Sequence, residues 1–164
     1  MKKLFSFISV LCLCAYAWAY DFQVDGLYYT IINDTEEPYS VELSDPAEES
    51  EYQSIIELAI PEAVEYESKT YLVTGIRTNA FWGSENLISV TVPAGVVNFY
   101  SGGFSSCPNL TTVIWNATHC KYADYAFSYC EKLQSIEFGD EVEILPIGLC
   151  ASLPSLATVT IPES

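Results

Sequence analysis

A pattern of eight residues recurs in this chain at a constant spacing of 23 residues. Four copies superpose without a gap, over residues 80–87, 103–110, 126–133 and 149–156. Each copy ends on a leucine, at Leu87, Leu110, Leu133 and Leu156. A fixed period of this length is typical of a protein built from one structural unit that stacks on itself, so it constrains the fold more than composition does.

Four more positions of the repeat are apolar in every copy. They are Phe81, Phe104, Phe127 and Cys150; Val90, Val113, Ile136 and Val159; Val92, Trp115, Phe138 and Ile161; and Ile76, Phe99, Tyr122 and Leu145. A single copy cannot bury these side chains, whereas stacked copies place them in one continuous core. The period lies in the range of leucine-rich repeats, and we therefore predict a leucine-rich-repeat solenoid of mostly parallel β-structure.

Each copy contains a short stretch of alternating residues that predicts a parallel strand. In the first copy it covers Leu87 to Val92, and the matching strands are predicted at 110–115, 133–138 and 156–161. The outward positions form the candidate binding face, which consists of Ser89, Thr91, Thr112, Ile114, Ser135, Glu137, Thr158 and Thr160. The Ala-Phe stretch before each strand is short and predicts a single helical or 3₁₀ turn.

The residues of these copies resemble a known family. The stretch from Val73 to Pro93 and the octet at 126–133 are similar to BspA-like leucine-rich repeats of anaerobic bacteria. The resemblance covers residues 58–164, with about four full copies from residue 73 and an insertion at 62–72. The last copy departs most, since Cys150 replaces the family's Phe and Leu153 its Cys. The resemblance implies a non-enzymatic scaffold for adhesion or protein–protein interaction.

The first nineteen residues have the pattern of a secretory signal peptide. Two lysines precede an apolar stretch from Leu4 to Ala15, and residues 17–19 fit a cleavage site before Tyr20. We therefore predict a secreted or cell-surface protein. The apolar stretch is shorter than the roughly 20 residues that span a bilayer as a helix, so no integral membrane span is expected in the mature chain. Lipid attachment at Cys12 or Cys14 is the alternative, although each follows a bulky leucine.

Residues 20–57 are predicted to form an N-terminal β-hairpin or cap that covers the open end of the first repeat. Two short strands are expected around a turn at Asp25-Gly26, and another near Tyr39 to Leu43. The stretch from Asp34 to Glu67 holds twelve acidic residues and no basic one. We interpret it as a solvated loop plus a charged strand edge; recruitment of calcium or of a basic partner is the alternative.

The charge of the chain excludes one class of partner. Without the signal peptide it has 22 acidic residues against four basic ones, a net charge of −18. Nucleic-acid binding rests largely on Lys and Arg, which displace counterions from phosphates, and anionic membrane surfaces attract the same side chains. We therefore expect neither nucleic acid nor an anionic membrane surface as a partner.

The sequence contains no motif for catalysis, metal binding or a cofactor, and we expect none of the three. The four cysteines of the mature chain lack a C-x-x-C spacing and His119 is the single histidine, so a zinc site is not indicated. Cys107 and Cys130 occupy one repeat position on neighbouring coils, within disulfide distance. Free buried thiols that pack as small apolar groups are the preferred interpretation, and a disulfide is the alternative.

The sequence thus predicts a secreted or cell-surface scaffold for a protein partner on a host or bacterial surface. Its four-strand face would be only about 15–20 Å wide, which is small for a stable interface and leaves an oligomer or an end-to-end contact open. The alternative is an extracellular carbohydrate-binding accessory module or a small acidic hydrolase. A row of exposed aromatic side chains would favour sugar binding, but most aromatic residues fall at inward positions.

Overall fold

The computed structural model describes residues 20–46 and 51–162. The predicted signal peptide at 1–19 lies outside these residues, as do Cys12 and Cys14. Within the described ranges the chain forms a 3₁₀ helix at Glu51–Ser54 and eleven strands. The strands are β1 (Phe22–Val24), β2 (Leu27–Asn33), β3 (Tyr39–Ser44), β4 (Glu57–Ala59), β5 (Ala63–Tyr66), β6 (Lys69–Ile76), β7 (Ser89–Val92), β8 (Asn98–Phe99), β9 (Thr112–Trp115), β10 (Ser135–Phe138) and β11 (Thr158–Thr160).

Five of these strands form an entirely parallel sheet in the order β11, β10, β9, β7 and β4. From β7 to β11 each pairing joins residues 23 apart in sequence, as in Ser89 with Thr112 and Ser135 with Thr158. The strands begin two residues later than predicted, and before β9, β10 and β11 the preceding leucine closes a turn instead. The Leu133 amide, for example, donates to the Cys130 carbonyl at 3.1 Å.

The other sheet has six strands and mixed pairing. β2 pairs antiparallel with β1 and with β3, while β6 pairs parallel with β3 and β8 and antiparallel with β5. The expected insertion at 62–72 therefore contains most of a β-hairpin, formed by β5 and β6. Its two turn residues, Glu67 and Ser68, both have positive φ, as a type I′ turn requires.

Aromatic rings of successive copies form a stack in the core. The ring centroids of Phe81 and Phe104 are 4.6 Å apart, and those of Phe104 and Phe127 are 5.6 Å apart. Tyr52 extends the stack at the other end, at 4.3 Å from Phe81. All four side chains are buried, and stacked rings at these distances add to the free energy of burial. The core thus continues from the 3₁₀ helix through the repeats.

Tyr52 also joins the N-terminal strands to the repeats. Its hydroxyl accepts a hydrogen bond from the Tyr28 amide and donates one to the Ser44 carbonyl, each at 2.9 Å. Burial raises the pKa of the Tyr52 phenol well above its ordinary value, and burial together with Asp25 raises the pKa of Tyr29 to about 12. Tyr52 therefore keeps its proton and remains a donor at physiological pH.

The turn on the other side of each copy has a recurring backbone conformation. φ is positive at Asn79, Gly102, Tyr125 and Gly148, and again four residues later at Gly83, Ser106, Tyr129 and Ser152. Between these positions the chain makes 3₁₀-type hydrogen bonds, such as the one from the Trp82 amide to the Asn79 carbonyl at 3.0 Å. Left-handed backbone is unfavourable for most residues other than glycine. The left-handed conformation nevertheless recurs at Tyr and Ser residues. The stacking of the coils therefore determines the conformation of this turn more than the residue type does.

The last copy is less buried than its sequence pattern predicts. Val159 and Ile161 are 44% and 56% exposed, although the equivalent Ile136 and Phe138 are buried. Among the described residues, no further coil stacks on β11, which is the last strand of its sheet. Apolar side chains at this end therefore remain in contact with solvent.

The structure also corrects the predicted burial of one apolar position of the repeat. Ile76 and Phe99 are buried between the two sheets, but Tyr122 and Leu145 are 60% and 51% exposed. Ile76 and Phe99 pair with each other in the mixed sheet, whereas Tyr122 makes an isolated bridge with Ile147. The mixed sheet therefore covers this position in the first two copies and leaves it open in the next two.

Candidate functional site

The outward positions of the parallel sheet form two rows of adjacent side chains. The first row contains Ser89, Thr112, Ser135 and Thr158, and the second contains Thr91, Ile114, Glu137 and Thr160. All eight residues singled out from the sequence therefore share one surface. Ser89, Thr91, Thr112 and Ser135 are half-buried, while Ile114, Glu137, Thr158 and Thr160 are exposed. The Ser135 hydroxyl donates to the Thr112 hydroxyl at 3.3 Å, so neighbouring coils also contact each other within a row.

β4 extends both rows by one strand. Glu57 pairs with Ser89, and Ala59 pairs with Thr91. The family resemblance begins at residue 58, but the sequence does not identify these two residues as part of the face. The insertion lengthens the spacing between Leu58 and its partner Val90 to 32 residues, so the period no longer identifies equivalent positions. With five strands the face is about 20 Å wide. We use the term outer face for the eight predicted residues together with Glu57 and Ala59.

Comparison with known proteins identifies the repeat. A sequence profile of the BspA-type leucine-rich-repeat region matches residues 51–164 in six copies. The chain belongs to the BspA-type leucine-rich-repeat family. The resemblance inferred from the repeat residues is thus confirmed, and the match begins at the 3₁₀ helix that carries Tyr52. This family consists in general of repeat scaffolds and not of enzymes.

Solved structures of leucine-rich repeat proteins have the same fold. A leucine-rich repeat protein from Bacteroides capillosus is 25% identical, with a TM-score of 0.68 over 87% of this chain and 98% of that one. One from Bacteroides ovatus is also 25% identical, with a TM-score of 0.61 over 87% of this chain and 42% of that one. A leucine rich cell surface protein from Faecalibacterium prausnitzii, 18% identical with a TM-score of 0.53 over 86% and 42% of the two chains, shares the fold alone. No curated protein matches the sequence significantly.

One acidic residue of the 34–67 stretch, Glu42, is buried, whereas the stretch is predicted to be a solvated loop plus a charged strand edge. The Glu42 side chain is 1% exposed and lies over Gly75, where a Cβ atom would come within 2.7 Å of its Oε1. Asn98 Nδ2 donates to Oε1 at 3.3 Å, and Arg77 Nη1 is 3.7 Å from Oε2. Oε2 has no hydrogen-bond partner among the described residues. Arg77, the single arginine of the sequence, therefore balances a buried charge between the cap and the first coil.

The cysteines of the repeat are free thiols in the part of the chain that is described. Cys107, Cys120 and Cys130 are buried and Cys150 is exposed. Cys107 Sγ donates to the Phe81 carbonyl at 3.3 Å, and Cys130 Sγ donates to the Phe104 carbonyl at 3.1 Å. A hydrogen bond with Cys130 and burial raise the pKa of Cys107 far above its ordinary value. Cys107 and Cys130 therefore each bond to the preceding coil, in agreement with the preferred interpretation of this pair as packing residues.

His119 takes part in a chain of polar side chains at the surface. Its Nδ1 is 2.7 Å from Thr118 Oγ1, and its Nε2 is 3.4 Å from Glu143 Oε2. The three residue types are those of a nucleophilic triad, but the imidazole and the carboxylate are 60% and 68% exposed. Thr118 Oγ1 also lies 3.4 Å from the Ala94 carbonyl, to which it donates. These contacts tie neighbouring coils together.

In the described part of the chain, the exposed aromatic side chains do not recur at one position of the repeat. They are Trp82, Tyr100, Tyr122, Tyr125 and Tyr129, which occupy five different positions. The criterion that would favour a sugar-binding module is therefore not met by these residues.

Two further observations concern metals and membranes. Among residues 20–46 and 51–162, no three potential ligands of the His, Cys, Asp or Glu type come together in a way that could hold a metal ion. Over the same residues, no helix combines the length and the apolar character that crossing a membrane demands.

Proposed function

We propose that this BspA-type protein is an exported scaffold that binds a protein partner through the outer face. The proposal rests on the alignment of the two rows, which run without interruption from Glu57 and Ala59 to Thr158 and Thr160. Short hydroxyl side chains both donate and accept hydrogen bonds, and they recur about every 4.8 Å across the sheet. The inward residues of the same strands, such as Val113 and Ile136, already fill the core. The outward ones remain available to a ligand.

The chemistry of the outer face suggests what the partner offers. Ile114, near the centre of the face, is its one large apolar side chain, and hydroxyl groups surround it. Acidic side chains occur in both rows, at Glu57 and Glu137. A protein surface with an apolar contact, hydrogen-bonding groups and some basic residues would complement this arrangement. A face about 20 Å wide is small compared with the roughly 800 Å² per partner of a standard interface, so we expect weak binding unless flanking turns also take part.

The proposal includes a division of the chain. Residues 1–19 act as the export signal, residues 20–57 form the cap with its acidic loop, and residues 58–164 form the solenoid of 23-residue coils. Pairing between β3 and β6 and the stack of Tyr52 on Phe81 support a cap that is continuous with the solenoid. The protein is then secreted or held at the cell surface, with no catalytic role and no cofactor.

Binding to the outer face is tested with one central substitution and a matched control. The chain from Tyr20 onward is assayed by biolayer interferometry against purified extracellular-matrix proteins and bacterial surface fractions. Ile114→Asp places a charge at the centre of the face, and Tyr129→Ser changes an exposed aromatic residue on the turn side. We expect Ile114→Asp to weaken a specific interaction by at least about tenfold and Tyr129→Ser to leave it unchanged. Equal binding by all three proteins would contradict the proposal.

Export is tested separately. The full chain is expressed in a bacterium that secretes proteins, and the culture medium and cell fractions are analysed by mass spectrometry. We expect a mature product that begins at Tyr20. Retention of an uncleaved chain in the cytoplasm would refute export without affecting the binding experiment.

An end-to-end contact at the last coil also belongs to the proposal. Val159 and Ile161 are exposed in this coil, and no described strand pairs with the outer side of β11. Burial of apolar side chains of this size favours association. Sedimentation velocity over a wide concentration range is expected to show reversible association that Ile161→Glu weakens. A single monomeric species at every concentration would argue against it.

A further inference from the structure

A second surface of the molecule lies at the free edge of β4. The Ile88 amide donates to the Ile56 carbonyl at 2.7 Å, and the Ile60 amide donates to the Thr91 carbonyl at 3.1 Å. These bonds turn the backbone groups of residues 56, 58 and 60 toward β7. Because backbone groups alternate along a strand, the N–H and C=O groups of Glu57 and Ala59 point the other way. In the described part of the chain, no strand pairs with that edge.

A groove of about 510 Å³ runs along this edge. The hairpin of β1 and β2 lines one side and β5 the other. Its floor is apolar and contains Leu27, Leu58 and Val64, which are buried, together with the half-buried Val24 and Ile55. The unpaired backbone of β4 therefore borders a channel that already has apolar walls. An extended segment placed there would gain hydrogen bonds and bury apolar side chains at the same time.

The rim of the groove is acidic. Asp25, Glu57 and Glu65 are exposed around it, and none of the described residues that line it is basic. A second copy of this chain would bring acidic rims together and is therefore repelled. A segment with lysine or arginine side chains is attracted. The charge pattern thus selects a basic partner over self-association.

We propose that β4 binds an extended, basic peptide segment of a partner protein as an additional strand of the parallel sheet. Side chains of an added strand alternate between the two faces of the sheet. One set lies on the floor beside Leu58, where apolar residues fit, and the other lies beside Glu57, where lysine or arginine fits. The recognised segment therefore alternates apolar and basic residues. This surface uses the backbone edge of β4, so the inference holds whether or not the outer face binds a partner.

The probe for this experiment is the peptide Lys-Val-Lys-Val-Lys-Val-Lys, labelled for fluorescence anisotropy. Two matched peptides test the two parts of the proposal. In one, every lysine is replaced by glutamate, and in the other the central valine is replaced by proline, which removes a backbone donor. We expect the probe to bind, with an affinity that falls as salt is raised, and both matched peptides to bind at least about tenfold more weakly.

The protein variants address the edge and the rim separately. Ala59→Pro removes the outward amide of an exposed edge residue without removing a hydrogen bond to β7, and Tyr129→Ser, on the exposed turn side, is its control. We expect Ala59→Pro to weaken peptide binding about tenfold and Tyr129→Ser to leave it unchanged. The double variant Asp25→Asn/Glu65→Gln is expected to weaken peptide binding about threefold or more, because it removes two exposed charges that lie outside the outer face. If Ala59→Pro fails to fold, the double variant still tests the proposal.

Hydrogen exchange gives an independent readout on the wild-type protein. Saturating peptide is expected to slow exchange of the Glu57 and Ala59 amides, with little change at Leu58, whose amide already faces β7. The inference is overturned if the glutamate peptide binds as well as the lysine peptide, if Ala59→Pro binds normally, or if no binding occurs at millimolar peptide. Dimerisation of the protein through β4, lost in Ala59→Pro, would also overturn it. Ile114→Asp is expected to bind the peptide normally, so failure of the outer face and failure of this groove can be told apart.

Discussion

The central coils and the last coil carry the same sequence pattern but differ in burial. Val113 and Ile136 are fully buried in β9 and β10, whereas the equivalent Val159 in β11 is 44% exposed. Leu110 is fully buried, and Leu156 is only partly buried against the core. Both regions have regular parallel pairing, since β11 pairs with β10 as β10 pairs with β9. Pairing with one neighbour is therefore enough to form the strand, but burial also requires cover on the other side, which β11 lacks among the described residues and Leu58 of β4 receives from other strands.

This difference explains how a repeat protein of this kind gains stability. The free energy gained by an apolar side chain is roughly proportional to the area that is removed from water. In a stack of coils most of that area is covered by the neighbouring copies and not by the copy itself. Identical residues at equivalent positions should therefore contribute very different free energies. The following predictions compare the central coils with the last coil to test this point.

The largest difference is expected in the reactivity of the thiols. Cys107, Cys120 and Cys130 are buried, and Cys150 in the last coil is exposed. In the chain from Tyr20 onward, a maleimide reagent should modify Cys150 at least about a thousandfold faster than the other three, which require unfolding to react. Mass spectrometry of the peptides over time measures these rates. Cys150→Ser provides the control, and rapid modification of that variant without denaturant would break the comparison.

The equivalent leucines should differ in their contribution to stability. Leu110→Ala is expected to lower the free energy of unfolding by about 3 kcal/mol, because it leaves a cavity between two coils. Leu156→Ala should lower it by no more than about 1 kcal/mol, since the side chain is already in partial contact with water. Urea unfolding followed by circular dichroism gives both values. Equal losses for the two variants would show that the last coil is packed like the others.

The left-handed turn residues should behave alike in both regions. Tyr129 and Ser152 occupy equivalent positions, with φ of 61° and 59°. Glycine relieves the steric cost of this conformation but loses more backbone entropy on folding, so we expect each change to glycine to stabilise the protein by about 0.5–1 kcal/mol. Thermal unfolding of Tyr129→Gly and Ser152→Gly provides the measurement. If one variant is stabilised and the other is destabilised, the last turn has a different backbone conformation in solution.

The smallest effect concerns the pH dependence of Cys150. Partial burial raises the pKa of this thiol above its ordinary value of 9.0. The thiolate is the reactive form, so its modification rate should still be rising when the pH passes 9.0. In urea, where the burial is lost, the midpoint of the same profile should shift to lower pH. Because the folded pKa is the higher one, the thiol's contribution to stability is lost as the pH rises through it. Identical midpoints in the two conditions would show that Cys150 is fully solvated in the folded chain.

The repeat itself could be read from the sequence because its period is regular. Phe81, Phe104 and Phe127 were assigned to one inward position, and their rings stack in the structure. The outward residues of β7, β9 and β10 followed from alternation within each strand. In these segments each residue has the same environment as the residue 23 positions away, so one copy predicts the next. The sequence carries the same information several times.

Residues outside the regular spacing could not be found in this way. Tyr52 continues the aromatic stack but lies 29 residues before Phe81, beyond the inserted hairpin. The burial of Glu42 depends on Gly75 and Arg77, which lie more than 30 residues along the chain. The groove beside β4 depends on how the cap packs against the first coil. Each of these features is produced by a tertiary contact that no local pattern encodes.

Hydrogen exchange of the strand amides tests the central claim most directly. The claim is that a coil is protected when another coil lies on each side of it, whatever its own sequence. For the chain from Tyr20 onward, we predict that amides in β9 exchange at least about a hundredfold more slowly than those in β11 at neutral pH, with β10 closer to β9. Equal protection of β9 and β11 would contradict the account, because the last strand would then be as well covered as the central ones.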